Sequence, residues 1–326
     1  VLDPPTVSLD FSYYLTDGFN ERALGFFVEN SGAANTQRGG GATAFTEGNF
    51  ASGHLTANSG VNMYIVTSPD GEDLNKDPAE ALDNLDTVIG IGNCYVSDYS
   101  LDLSVGSLPT VSVTMEGANM RSTRSSATTG SPAINQEDGS AIPFNVALPP
   151  PTKDGGITGG SLDEAAITAL RPGDITVLLG GVAGESLAEL SGDGNAHIQS
   201  VSISLPLSRS PIQRLGSKFP FARSVDFPVD ISMSVNAIMN DTITQNLADI
   251  LNSGVQDVSF FINDPDGDDV AISGGLKGVK LDSESFSSSI GSNKTVDLTF
   301  TTQVGGPNDT SNGFFMSGCG ANAVFT

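Results

Sequence analysis

Tryptophan is absent from this 326-residue chain, cysteine and histidine occur twice each, and lysine and arginine together number only 14. The two cysteines, Cys94 and Cys319, are too few for a disulfide-built scaffold and read as two free, mostly buried thiols, although one bridge between them stays open. Fourteen bases against 38 Asp and Glu leave a formal net charge of -24 and a pI near 4.1. Charged residues are only 16% of the chain, so the acidity comes from scarce bases rather than an excess of acids. A surface this negative repels a phosphate backbone, which argues against nucleic-acid binding by charge neutralisation. No apolar run approaches the roughly 18 residues of a membrane helix. The first residues show no basic segment followed by an apolar stretch, so no secretory leader is expected among them, and a mature chain stripped of one fits equally well. What the chain does hold is 38% hydrophobic residues, 38 Gly and 17 Pro, enough apolar material for a real core.

The sequence repeats itself. Asn58-Ser59-Gly60-Val61 recurs as Asn252-Ser253-Gly254-Val255, an offset of 194. Tyr64 to Asp73 recurs as Phe260 to Asp269 at an offset of 196, with Pro69/Pro265, Asp70/Asp266, Gly71/Gly267 and Asp73/Asp269 identical. Ser100 to Thr114 recurs as Ser285 to Thr299 at an offset of 185, with seven of fifteen positions identical. The matches keep their order while the offset drifts slowly, as in a tandem duplication with about eleven extra residues around Leu74 to Asn93 of the first copy. The division read from this is a first β domain over 1–120, a linker or arm over 121–195, and a second β domain over 196–326.

The repeated unit is mostly strand. Val7, Leu9, Phe11 and Tyr13 alternate with Ser8, Asp10 and Ser12, and Val201, Ile203, Leu205 and Leu207 alternate with Ser202 and Ser204. Such a period of two buries one face and wets the other. Phe227, Val229, Ile231, Met233 and Val235 repeat the pattern. Their expected first-copy counterpart, near Gln37-Arg38-Gly39-Gly40-Gly41, is glycine-rich and reads as a loop. Turns are predicted at Ser68 to Gly71, Asp264 to Gly267, Val105-Gly106-Ser107 and Ile290-Gly291-Ser292. Short helices are predicted from Asp241 to Gly254, from Asp77-Pro78 through Leu85, and from Ser161 to before Pro172. Arg121 to Gly160 is rich in Ser, Thr, Pro and Gly and reads as an extended arm. A strand at Ile175 to Leu179 leads into the second unit. The fold class is therefore all-β with few short helices: two tandem, related sandwich- or barrel-like domains joined by an extended linker.

The search for chemistry finds little. His54 and His197 have no partner at metal-ligand or catalytic spacing. Ser161 follows Gly159-Gly160 but lacks the G-x-S-x-G elbow. Neither Gly90-Ile91-Gly92 nor Gly39-Gly40-Gly41 completes a nucleotide-binding loop. Asp264-Asp266-Asp268-Asp269, with its copy Asp70-Glu72-Asp73, resembles the start of a calcium loop, yet the bidentate Glu expected six residues after the glycine is Ser273 in one copy and Asp77 in the other. It reads as a solvated acidic hairpin tip. No catalytic residue, cofactor site or metal site is assigned, and the chain is not read as an enzyme.

A chain without a site works through its surfaces. Two copies of one β unit suggest pseudo-symmetry, so that three chains supply six equivalent units around an axis. The stretch Gln199 to Arg209, continuing through Gln213 to Arg223 and Asp226-Phe227-Pro228, is similar to the tail tube (major tail) proteins of tailed bacteriophages. Lys280 to Val304 shares the likeness, and Asn93 to Asn119 does so more weakly. The resemblance implies stacked rings of barrel-like subunits with an electronegative lumen that guides double-stranded DNA, no catalytic residues, assembly with other tail proteins, no membrane, and residence in the virion after synthesis in the host cytoplasm. The duplication implies the trimeric, pseudo-hexameric form rather than a hexamer. Arg209, Arg214, Lys218 and Arg223 form a local basic patch, read either as pairing within the chain or as a dock for a neighbour's Asp264–Asp269 hairpin. The competing readings are a capsid decoration or other virion scaffold protein, and a secreted calcium-binding β-sandwich adhesin.

Overall fold

The structure, a computed structural model, describes residues 6–16, 18–30, 48–56, 60–67, 70, 87–124, 134, 170, 175–179, 196–216, 220, 222–239, 255–263, 270–287 and 294–318. Fifteen strands and two five-residue helices lie within them. The protein is mostly β, as its period-two patterns require, and thirteen of the strands form one continuous, curled sheet.

Its central part has seven strands: β1 (Val7–Tyr14), β5 (Thr110–Gly117), β4 (Thr87–Ser104), β8 (Ala196–Pro206), β11 (Val229–Met239), β14 (Thr295–Val304) and β13 (Val270–Ser287), in that spatial order and antiparallel throughout. Two smaller wings branch from it. β3 (Val61–Thr67) and β6 (Asn119–Arg124) flank the first half of β4, while β12 (Gln256–Asn263) and β15 (Gly313–Gly318) flank the first half of β13. β7 (Ile175–Leu179) extends the second wing by pairing with β12, and β2 (Glu29–Asn30) runs parallel to β15. β9 (Arg209–Ile212) and β10 (Ala222–Val225) form a separate hairpin.

β4 and β13 each run for 18 residues and belong to a wing and then to the central sheet. The change of partners needs a local bend, and each strand supplies a left-handed residue there: Asn93 at φ 53 and Gly278 at φ 67. Asn and Gly tolerate this region best. The backbone N–H of each donates to a side-chain oxygen of the neighbouring strand, Asn93 to Asn62 Oδ1 and Gly278 to Asp257 Oδ1, both at 3.0 Å.

The correspondence extends through the pairing. Asp102↔Thr110 through Tyr95↔Glu116 become Ser287↔Thr295 through Lys280↔Thr301 at a constant offset of 185, with the bulge in the same place. The β4–β6 pairs recur in β13–β15, and the β3–β4 pairs recur in β12–β13, again with matching bulges. Two details differ from the sequence reading. Met63↔Ile91 answers to Val258↔Leu276, so the offset in this strand is 195 rather than 196, ten residues more than the 185 of its partner strand. Further, β1 pairs β5 in the register in which β11 pairs β14 (Tyr14↔Thr110, Ile238↔Thr295), so its positional counterpart is β11 and not the stretch Val201–Leu207. Periodicity could not separate the two, because β8 and β11 alternate alike. Residues 37–41 lie outside the described residues, as do the three predicted helices apart from Leu170, and the turns at 264–267 and 290–292.

One core serves both halves. Alternation buries Val111, Val113 and Met115 of β5 together with Val296, Leu298 and Phe300 of β14. Phe26, Phe50 and Ala51, beside the helices α1 (Phe19–Ala23) and α2 (Ser52–Thr56), pack into the same cluster. Phe50, just before α2, has its ring 5.0 Å from Tyr99 of β4 and 5.0 Å from Phe314 of β15. Its backbone N–H donates to the Phe314 carbonyl at 2.7 Å.

Candidate functional site: a polar wall with two open edges

The opposite face of the central sheet is the candidate site. Because the seven strands stay in register, their outward side chains line up in rows. One row runs Ser12, Ser112, Ser100, Ser204, Ser232, Thr301, Lys280 across all seven strands. The next runs Tyr14, Thr110, Asp102, Ser202, Ser234, Thr299, Ser283. A third, Ser104, Ser200, Asn236, Asp297, Ser285, is tied by the Asn236 amide donating to Asp297 and by Ser285 Oγ donating to Asp297 Oδ2 at 3.4 Å. The neighbouring positions form equally regular apolar rows, such as Tyr13, Val111, Leu101, Ile203, Met233, Phe300, Leu281. The face is thus short hydroxyls punctuated by carboxylates. Among the described side chains of the strand segments that build it, seven acids (Asp10, Asp98, Asp102, Glu116, Asp230, Asp282, Asp297) accompany a single base, Lys280. Partial burial of Asp98 raises its carboxyl above the ordinary value.

The wall ends in two strands paired on one side only. Among the described residues, β1 pairs with β5 alone, and the second half of β13 (280–287) pairs with β14 alone. Such edges are templates for another strand.

The basic patch is engaged within the chain at Arg209 and Arg223. Arg223 pairs with Glu116 at 3.1 Å, its own side chain 4% exposed. Arg209 donates to the His54 carbonyl at 2.7 Å and lies over the Tyr95 ring at 4.8 Å. The β9–β10 hairpin is thereby fastened onto the first half of the molecule. Lys218 and Asp264–Asp269 are outside the described residues.

The remaining titratable groups are built into the core. His54 packs edge-on to Phe26 at 4.4 Å, and burial, helped by Arg209, lowers its pKa to about 4. Glu21, fully buried, accepts a hydrogen bond from the Tyr13 hydroxyl at 2.9 Å. Burial and the Glu21 charge hold the Tyr13 phenol far above its ordinary range. The Cys94 thiol is free, buried and pushed up to about 11, well away from a reactive thiolate. The side chain of His197, on β8, and Cys319 are not among the described groups. Among the described residues no three His, Cys, Asp or Glu are grouped to hold a metal, and no helix is long and apolar enough to cross a membrane. Sequence reading missed the wall: every strand showed its alternation, but only the pairing register turns seven alternations into continuous rows.

The sequence matches no known family and no curated protein. Among solved structures, the chain is similar to one from the tail of an empty gene transfer agent (GTA) particle with C6 symmetry, at 16% identity and a TM-score of 0.29 over 41% of this chain and 93% of that one. It is similar to a chain of the native gene transfer agent virion at 14% identity and a TM-score of 0.26, over 45% of this chain and 98% of that one. A third likeness is to the SPP1 tail tube, at 12% identity and a TM-score of 0.27, over 42% of this chain and 79% of that one.

Proposed function

We propose that this protein is a structural component of a bacteriophage virion, a tail tube protein whose copies close into rings and stack into a hollow tube with an acidic lumen for double-stranded DNA. The observation that carries the reading is the polar wall: seven strands wide, lined with hydroxyls and carboxylates, nearly free of bases, and open at both edges. Serine and threonine hydroxyls present a hydrated, uncharged surface, and the acids among them repel phosphate, so DNA slides past without releasing counterions and sticking. No chemistry is required of the chain.

The matching registers support a tandem duplication, with β1 and β3–β6 in one unit and β11–β15 in the other. Three chains then supply six units, a trimeric ring with pseudo-sixfold symmetry. Other tail proteins cap and extend the polymer, and the virion is where it resides.

Electron microscopy of the purified protein tests the proposal. Hollow stacked rings with three chains per ring are the expected result. Monomers persisting at high concentration, with no rings at any salt concentration, sink it.

A further inference from the structure

We infer that neighbouring copies of this chain join across a gap one strand wide, in which β13 of one copy and β1 of the next flank an extended segment contributed by a second copy of the same polypeptide. This rests on the ring reading above and specifies its joint.

Inside each chain the equivalent joint is already made. β8 lies between β4 and β11 and is antiparallel to both. The outer edge of β13 at 280–287 occupies the position of the β4 edge that β8 covers, and the outer edge of β1 occupies the position of the β11 edge that β8 covers. In a ring of like-oriented copies these two edges face one another at every joint.

Strand direction disfavours a simple abutment. Since β8 is antiparallel to each of its neighbours, β4 and β11 run the same way, and so do their counterparts β13 and β1. Direct contact would place one parallel pair per joint in a wall whose seven strands are otherwise antiparallel, and parallel pairing is slightly less stable per residue. Seven strands per chain is an odd number, and one intervening strand restores the alternation.

Burial points the same way. Leu101, paired with Ile203 of β8, is 0% exposed, whereas its counterpart Phe286 is 56% exposed. Phe11 and Tyr13 on β1 are half-buried, where their counterparts Val235 and Ala237 on β11 are fully buried. Both open edges thus lack the cover that β8 provides within the chain. The occupant is assigned to the same polypeptide because β8, which fills the equivalent position inside the chain, is a segment of it, and a ring of identical copies then closes without another component.

The molecule contains its own control. Ser100 and Ser232 both pair with Ser204 and so stand two strand spacings apart, about 10 Å. The corresponding positions across the joint are Ser285 and Ser8. In a chain carrying Cys94→Ala and Cys319→Ala, one variant adds Ser8→Cys with Ser285→Cys and another adds Ser100→Cys with Ser232→Cys. Each is assembled without other tail proteins, then treated either with an oxidant or with a thiol cross-linker spanning about 10 Å. The expected result is that the cross-linker converts the first variant to a ladder of linked chains, that oxidation alone does not, and that the second variant is linked only within single chains. A disulfide needs Cα atoms within about 7 Å, so oxidation locking Ser8→Cys to Ser285→Cys would show abutting edges and overturn the inference. Rings without a ladder overturn it too, and rings that appear only after another tail protein is added assign the gap to that protein instead. If the parent chain forms no rings at all, the tube reading itself fails, an outcome separately visible by microscopy.

Discussion

Leu101 and Phe286 hold the same station in two hairpins of identical register, yet one is sealed in the core and the other stands more than half in water. The difference traces to β8, which covers the edge beside Leu101. Leu101→Ala is therefore expected to cost about 2–5 kcal/mol of chain stability, whereas Phe286→Ala is expected to change the stability of the unassembled chain by less than about 0.5 kcal/mol. Denaturant unfolding of dilute protein checks both. A loss above about 2 kcal/mol for Phe286→Ala would mean that its edge is already covered in the isolated chain.

Phe50 joins the halves, touching Phe26 at 4.3 Å besides Tyr99 and Phe314. Removing a fully buried phenyl ring leaves a cavity, so Phe50→Ala should cost about 3–5 kcal/mol. Phe50→Leu, which keeps most of the volume, should cost less. Calorimetry reads this as a lowered midpoint, and equal midpoints for the two variants would contradict the packing described.

The His54 imidazole is held neutral, with a pKa of about 4 against an ordinary 6.5. A native state that refuses a proton its unfolded chain accepts is at full strength above pH 6.5 and loses stability as pH falls toward 4, by about 3 kcal/mol in all. Substituting His54→Gln should flatten the stability profile across that window. A profile whose slope between pH 6.5 and 4 is unchanged by the substitution would count against it.

Gly274 lies opposite Phe260, and a methyl group there would sit 2.3 Å from the ring's Cζ. The ring is fully buried and has little room to swing away. Gly274→Ala is expected to destabilise by about 1–3 kcal/mol. Combining it with Phe260→Val should cost less than the sum of the two single changes, because the smaller side chain removes the clash. Strict additivity in a double-mutant cycle would show that the contact is not the cause.

How much of this was legible in the sequence depends on range. The alternation of Thr110 to Met115 and of Val229 to Val235 gave the strands, and the Gly106 turn is present with φ 87. The matching registers of β4–β5 and β13–β14 had a trace in the sequence, because Thr110-Val111 and Thr295-Val296 are identical at corresponding positions. The strand swap that makes β1 the counterpart of β11 was not visible, since Val7/Leu9/Phe11 resembles Val201/Ile203/Leu205 as well as it resembles Ile231/Met233/Val235. The bend at Asn93 and Gly278 escaped notice because two different residues meet the same backbone demand. The polar rows depend on long-range register, for which a single chain of letters carries no local signal. Arg209 and Arg223 looked like an external patch until the fold brought Tyr95 and Glu116 beneath them.

β8 has a kinetic consequence. In the proposed three-chain ring, β8 would complete half of the joints during folding, because it already holds the two halves in one sheet. The remaining encounters would be between whole chains, three instead of six, and the tethered half would meet its neighbour at an effective concentration that dilution does not change. Nucleation of a circle should then depend less steeply on protein concentration than it would for single-unit subunits, which favours polymer growth even where the chain is scarce.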